Sequence, residues 1–160
     1  MYEESLRTPL IIRWPGKIKP GTVNEKMVLN LDYAETILDA AGAEIPSAMQ
    51  GTSLVPLLEG MTPEGWRNAL YYHYYEYPAI YMVKRHYGIR TDRYKLIHFY
   101  YDVDEWELYD LQEDPCKLNN LYGKEGTSYI TVKLKDQLEQ LRTLYGDSDS
   151  LARSFLPVQQ

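Results

Sequence analysis

Leu70-Tyr71-Tyr72-His73-Tyr74-Tyr75, Tyr87-Gly88-Ile89-Arg90-Thr91, Tyr94-Lys95-Leu96-Ile97-His98-Phe99-Tyr100 and Trp106-Glu107-Leu108-Tyr109-Asp110-Leu111 are four runs rich in aromatic and aliphatic residues, separated by polar turns. Such side chains fit a pleated, half-buried surface, so the runs predict four β-strands. Asp92-Arg93 is placed to close a tight hairpin between the second and third. Further on, Ile130, Leu134, Leu138, Leu141 and Tyr145 fall along one side of a helix, and Gly146 stands where that helix would stop. A helix of this kind can cover one face of a sheet. Residues 63–160 are therefore expected to form an α+β unit, an antiparallel sheet packed by a helix.

The residues ahead of this unit are organised differently. Leu10-Ile11-Ile12-Arg13-Trp14, halted by Pro15-Gly16, predicts a buried strand followed by a turn. Leu31, Ala34, Leu38 and Ala41 recur at helical spacing, with Asn30 as a candidate cap and Gly42 as a stop. The Pro- and Gly-rich stretch 45–63 reads as a connecting loop with a helical turn near Leu54–Leu58. One strand and one helix cannot complete a sheet, so residues 1–62 are expected to be the edge of a larger α/β layer. The tail, 147–160, has no period and is assigned no chemistry.

Composition narrows the partners. The 160 residues are enough to bury a core, and a formal charge of −6 argues against nonspecific nucleic-acid binding, which needs a positive field. No apolar run approaches the roughly 18 residues of a spanning helix, so no membrane partner is expected. Met1-Tyr2-Glu3-Glu4-Ser5 has no basic-then-apolar export pattern, and the lone Cys116 leaves the redox compartment open.

The sequence holds no Gly-x-Ser-x-Gly elbow and no Gly-rich phosphate loop. Its histidines, 73, 86 and 98, are too scattered for a helical metal pair, and Asp102 and Asp104 read as solvated loop carboxylates. No catalytic or metal-ligating residue is assigned. What stands out is a surface: five of the seven residues from Tyr71 to Tyr77 are tyrosine, and His73, Arg85, His86 and Arg90 are interleaved with aromatics. Tyrosine stacks through its ring while its hydroxyl stays hydrogen-bonded, which suits a polar, anionic ligand such as a charged sugar. It is equally an ordinary strand former. On a strand, Tyr71, His73, Tyr75 and Tyr77 share one face, and Tyr72, Tyr74 and Glu76 the other. His86, beside Lys84, Arg85 and Arg90, is either a neutral imidazole meeting an anionic ligand or a hydrogen-bonded structural histidine.

Three stretches together resemble the C-terminal part of the formylglycine-dependent sulfatases, the family that includes arylsulfatases and glycosaminoglycan sulfatases. The first is Tyr2-Glu3-Glu4-Ser5-Leu6-Arg7-Thr8-Pro9 running into Leu10-Ile11-Ile12-Arg13-Trp14-Pro15-Gly16, similar to the family's Glu-x-x-x-Arg-x-Pro segment and the strand after it. The second is Leu38-Asp39-Ala40-Ala41-Gly42, Pro46 and then Gly51-Thr52-Ser53-Leu54-Val55-Pro56-Leu57-Leu58-Glu59-Gly60, a specific Gly-x-Ser-Leu-x-Pro-Leu-Leu-x-Gly pattern. The third is Lys95-Leu96-Ile97 with Trp106-Glu107-Leu108-Tyr109-Asp110-Leu111 and Asp114-Pro115, where Asn120 and Leu121 fit the family's continuation and Lys117 replaces its usual Glu.

The resemblance implies the edge of an alkaline-phosphatase-like α/β sheet in residues 1–62 and the smaller C-terminal subdomain in 63–160. The family's Cys/Ser-x-Pro-Ser/Ala-Arg nucleophile motif, its Asp metal ligands and its sulfate-binding Lys have no counterpart in the sequence. It therefore implies a fragment of a carbohydrate sulfatase that is inactive alone. Formylglycine and Ca²⁺ belong to the intact family member and are not expected on this fragment. Its partners would be a sulfated carbohydrate and the remainder of the sulfatase domain, and its parent would be periplasmic or secreted.

Within the family, the Tyr-rich strand with Val83-Lys84-Arg85-His86-Tyr87-Gly88-Ile89-Arg90 is most similar to sulfatases acting on N-acetylglucosamine 6-sulfate in mucin or glycosaminoglycan. That nominates His86, with His73, Tyr75 and Arg85, as substrate-binding. A noncatalytic carbohydrate-binding module, or a fragment of a phosphate or phosphonate monoester hydrolase, is the alternative.

Overall fold

The computed structural model describes residues 3–78, 80 and 82–156. In chain order its elements are α1 (Glu3–Leu6), α2 (Asp32–Ala40), α3 (Val55–Leu58), β1 (Ala69–Tyr74), β2 (His86–Thr91), β3 (Tyr94–Phe99), β4 (Glu105–Asp110), α4 (Ser128–Leu144) and α5 (Asp149–Ser154). The chain divides into two compact units, one comprising Met1–Arg7 and Ala69–Gln160, the other Thr8–Asn68.

In the first of these units the four strands form one antiparallel sheet in the order β1-β2-β3-β4. The register sets cross-strand rows. Tyr71, Ile89, Leu96 and Leu108 make one row, His73, Tyr87, His98 and Trp106 the next, both on the same face. α4 covers that face, burying Leu134 and Leu138 against Ala69, Tyr87, Ile89, Leu96 and Leu108. The alternate rows point the other way: Tyr72, Gly88, Ile97 and Glu107 between those two, flanked by Leu70, Arg90, Lys95 and Tyr109 on one side and Tyr74, His86, Phe99 and Glu105 on the other. The expected hairpin closes at Asp92-Arg93, where the Tyr94 N–H donates to Thr91 Oγ1 at 2.9 Å and Arg93 reaches Asp110 at the end of β4. Gly146 ends α4 with φ of 68°, a conformation that costs glycine nothing.

The outer edge of β4 is covered by the loop that follows it. Asn120 Oδ1 accepts the Leu108 N–H at 3.0 Å, its Nδ2 donates to the Trp106 carbonyl at 3.1 Å, and the Leu121 N–H donates to the Leu108 carbonyl at 2.8 Å. Unpaired edge groups are thereby satisfied. Asp110 Oδ1 accepts the Gln112 N–H at 3.1 Å, and Asp114 Oδ2 accepts the Asn119 N–H at 2.8 Å. The Leu-Tyr-Asp-Leu, Asp-Pro and Asn-Leu pieces of the closing motif thus do one structural job.

Thr8–Asn68 departs from its sequence reading in three ways. Leu10–Trp14 forms no strand: Ile11 is 91 % exposed, and the segment runs without a ladder until the turn where the Lys17 N–H meets the Trp14 carbonyl at 3.1 Å. A strand is defined by a partner for its backbone groups, and among the described residues of this unit there is none. α2 forms as expected and Gly42 follows it at φ 67°, but Asn30 does not cap it; Leu31 stands at the cap position with no side-chain bond. The helix is also turned around relative to its apolar stripe. Asp32 and Glu35 are buried at 0 % and 2 %, whereas Leu31, Ala34 and Ile37 face outward.

The Gly51–Gly60 motif explains that inversion. Gly51 N–H donates to Glu35 Oε1 at 2.6 Å, Thr52 N–H to Asp32 Oδ1 at 2.9 Å, Leu54 N–H to Thr36 Oγ1 at 2.9 Å, and the Ser53 hydroxyl to Asp39 Oδ2 at 2.5 Å. The motif lays its backbone donors along the polar face of α2 and then turns into α3, burying Leu54 and Leu57. The predicted helical turn at Leu54–Leu58 is this element.

The tail also departs from expectation. Instead of an irregular end it forms α5, capped where Ser148 Oγ accepts the Leu151 N–H at 3.2 Å.

Candidate functional site

β1 presents alternate residues to opposite faces, and the nominated residues divide accordingly. Tyr71, His73 and Tyr75 turn toward Asp147, which lies between α4 and α5. His73 Nδ1 is 2.6 Å from Asp147 Oδ2, and its Nε2 is 2.6 Å from the Tyr100 hydroxyl. An ionised carboxylate can only accept, so Nδ1 carries the proton and Nε2 accepts from Tyr100. The Tyr71 hydroxyl donates to the same Asp147 oxygen. Tyr75 stacks on the imidazole with ring centroids 3.7 Å apart, and its other neighbour is Phe155 at 4.8 Å.

Electrostatics in this cluster follow from burial. Burial raises the Asp147 carboxyl, and hydrogen bonds from Tyr71 and His73 more than offset it, leaving Asp147 below the usual carboxylate range. Burial likewise lowers His73 and raises Tyr71 and Tyr100. The result is a neutral imidazole clamped between a carboxylate and a phenol.

Arg85 lies just before β2 and is 2 % exposed. Its Nε donates to the Tyr75 carbonyl at 3.0 Å, one terminal nitrogen to the Tyr77 carbonyl, and the other to Asp102 at 3.2 Å. The guanidinium lies within 5.8 Å of the Tyr77 ring and 5.6 Å of the Tyr101 ring. It fastens the β1–β2 connection to the β3–β4 connection.

His86 lies on the opposite face of the sheet from His73. Its ring is 5.8 Å from Tyr72, 5.6 Å from Tyr74 and 5.3 Å from Phe99, and its Nδ1–H donates to the Lys84 carbonyl at 2.8 Å. The four nominated residues thus gather at one end of the sheet, with His73 and Tyr75 on the face that α4 covers and His86 on the opposite face. The Tyr74 hydroxyl is buried on the His86 side.

His86 has a measurable consequence. Burial, only partly offset by the Lys84 carbonyl, lowers its pKa from 6.5 to about 4. The unfolded chain therefore binds a proton between those values that the folded chain refuses. The stability this represents is fully present above pH 6.5 and is lost as pH falls toward 4, about 3 kcal/mol in all. Urea unfolding of the native chain and of His86→Gln at about pH 7 and about pH 4.5 should show a loss smaller by about 2 kcal/mol in the variant. Parallel pH dependence of the two proteins would refute the assignment.

Sequence reasoning missed Asp147, Tyr100 and Asp102. Asp147 meets His73 across 74 positions, and nothing in the local pattern announces it. His98, whose place between Ile97 and Phe99 in an apolar run predicts a structural role, stacks on Trp106 at 4.2 Å and bonds Tyr87 and Asp104, each at 2.8 Å. Among the described residues no group of three or more His, Cys, Asp or Glu side chains is arranged to hold a metal ion.

Known proteins resemble this chain in sequence and in fold. The profile of the family described as N-sulphoglucosamine sulphohydrolase, C-terminal, matches residues 1–144. An N-acetylglucosamine-6-O-sulfatase of Bacteroides thetaiotaomicron is 54 % identical over 151 residues, covering 93 % of this chain and 27 % of its own length. A solved structure of a protein in complex with its substrate D-glucosamine-2-N,6-O-disulfate superimposes with a TM-score of 0.86 at 52 % identity, over 89 % of this chain and 29 % of that one. A phosphonate monoester hydrolase of Silicibacter pomeroyi gives a TM-score of 0.70 at 29 % identity, over 82 % and 28 %. The chain thus spans well under half the length of each relative. With a family profile matched across nearly the whole chain and an antiparallel sheet and helix held in common, this chain belongs to the N-sulphoglucosamine sulphohydrolase C-terminal family of sulfatases.

Proposed function

We propose that this chain is the C-terminal portion of a carbohydrate sulfatase that hydrolyses the 6-sulfate ester of N-acetylglucosamine in mucin or glycosaminoglycan. The observation that carries the reading is the 54 % identity to an N-acetylglucosamine-6-O-sulfatase across 93 % of the chain. The phosphonate hydrolase likeness is much weaker, 29 % against 52 % identity for the substrate-bound sulfatase structure, and favours a sulfate ester. A self-contained carbohydrate-binding module is disfavoured because His73, Tyr75 and Arg85 spend their polar atoms on Asp147, Asp102 and backbone carbonyls.

In this reading the formylglycine nucleophile and Ca²⁺ are supplied by the remainder of the sulfatase domain, in a periplasmic or secreted parent. The outward apolar face of α2 and the unladdered Leu10–Trp14 segment are where that remainder docks, extending the α/β sheet. His86, with Tyr72 and Tyr74 beside it, forms the substrate side of the C-terminal sheet, and His73, Tyr75 and Arg85 hold its loops in place.

A chimera tests this directly. The Bacteroides thetaiotaomicron relative with its matching C-terminal segment replaced by this chain should hydrolyse N-acetylglucosamine 6-sulfate within about tenfold of the native rate, because half of the replaced residues are identical and a tenfold change corresponds to ~1.4 kcal/mol of barrier. A chimera that folds with native-like cooperativity yet shows no desulfation would overturn the proposal.

A further inference from the structure

The pairing of the first residues of the chain with the C-terminal sheet is not explained by sequence proximity. Met1–Arg7 belongs to the unit built from Ala69–Gln160, although Thr8–Asn68 intervenes. The contact is ionic. Lys95 is the second residue of β3, on the face away from α4, and its side chain is 0 % exposed. Arg90 is its cross-strand partner on β2, with a side chain 17 % exposed. Glu3 at the start of α1 reaches both: Oε1 meets Lys95 Nζ, and Oε2 lies 3.4 Å from an Arg90 guanidinium nitrogen, 87 positions away.

Two cations side by side in one cross-strand row repel, and a buried ammonium is costly unless paired. One carboxylate bridging both strands removes both penalties, and it does so only while α1 rests on the sheet. Burial alone would raise the Glu3 carboxyl, yet the two cations hold it below its ordinary value, so it stays ionised at neutral pH.

We propose that Glu3, Lys95 and Arg90 form an electrostatic latch that pins Glu3–Arg7 onto the sheet face opposite α4, making this segment part of the C-terminal unit. The latch works independently of the sulfatase reading. It also gives Lys95, a fully buried cation beside Leu96 and Ile97 in β3, a reason to be there.

Backbone ¹⁵N relaxation on the full chain tests it. In the native protein Glu3–Leu6 should show order parameters near the ~0.85 of rigid backbone, and in Glu3→Gln they should fall below ~0.6 while β2 and β3 keep their native values. Adding Glu3→Gln to Lys95→Met should produce little further change, since the latch is already broken. Order parameters in Glu3–Leu6 that stay rigid in Glu3→Gln would overturn the proposal. So would a loss of order spread equally through β2 and β3, which would show that the triad supports the sheet rather than the segment. Glu3→Gln changes a half-buried residue outside the sheet, so it decides the matter even if Lys95→Met does not fold.

Discussion

Asp32→Ala should destabilise Thr8–Asn68 by about 4 kcal/mol, because it breaks a buried ion pair and leaves its partner behind. Asp32 is fully buried on α2, and Arg67 binds it bidentately, with one nitrogen 2.7 Å from Oδ1 and the other on Oδ2. The same two oxygens accept the Thr52 N–H at 2.9 Å and the Leu29 N–H at 2.7 Å. Alanine removes four hydrogen bonds at once and strands a guanidinium whose side chain is only 14 % exposed. Each backbone donor left unpaired in the interior costs about 1–3 kcal/mol unless water reaches it.

Because the pair is shielded, added salt should not mimic the mutation. The double variant Asp32→Ala/Arg67→Met should recover part of the loss, since it no longer buries an unpaired charge. Hydrogen exchange followed by mass spectrometry resolves the two units: residues 29–58 should lose protection while residues 86–110 keep theirs. An Asp32→Ala chain that unfolds within about 1 kcal/mol of the native one would show that the pair is weakly coupled to the fold.

The reason Asp32 was not legible as a structural residue bears on how the two units were read. In Ala69–Gln160 the pattern and the packing agree. Leu134 and Leu138 lie on the apolar side of α4 and are buried, the strand runs pair in the order in which they occur, and alternation along β1 correctly separates Tyr71, His73 and Tyr75 from Tyr72 and Tyr74. Local neighbours decide those outcomes, and a sequence displays its local neighbours.

In Thr8–Asn68 the apolar stripe of α2 points outward and the polar side is the one buried. Periodicity shows that a helix has two faces but not what each will meet. Here the inner face meets backbone N–H groups of the 51–54 segment, and backbone donors want carboxylates and hydroxyls rather than leucines. Leu10–Trp14 fails as a strand for a related reason, since its hydrophobicity announces burial but supplies no ladder partner. At the candidate site, the sequence nominates His73, Tyr75, Arg85 and His86 but not Asp147. Its role depends on α4 delivering it to β1, a tertiary event that leaves no trace in its immediate sequence.

Gly51→Ala should be as damaging as the loss of Asp32, on the order of 4 kcal/mol, although it adds only one methyl group. A Cβ at this position would overlap the Leu31 carbonyl oxygen and lie 2.6 Å from the Glu35 carboxyl carbon. Neither neighbour is free to retreat. The Leu31 carbonyl belongs to the N-terminal cap of α2, and Glu35 is held by the very Gly51 N–H that the methyl group would push away. Relief therefore requires the 51–54 segment to lift from the helix, which forfeits the Gly51, Thr52 and Leu54 hydrogen bonds together and uncovers Leu54 and Leu57. Glu35→Ala discriminates between the two obstacles. If the carboxylate is the main one, Gly51→Ala in the Glu35→Ala background should cost at least 2 kcal/mol less than in the native chain, measured by urea unfolding as a double-mutant cycle. If the Leu31 carbonyl is the main one, the cost should be unchanged, and the close approach of two backbones is then what requires glycine here. A native-like unfolding midpoint for Gly51→Ala alone would mean that the segment can shift away from α2 without penalty, and would remove the explanation given for the helix's buried polar face.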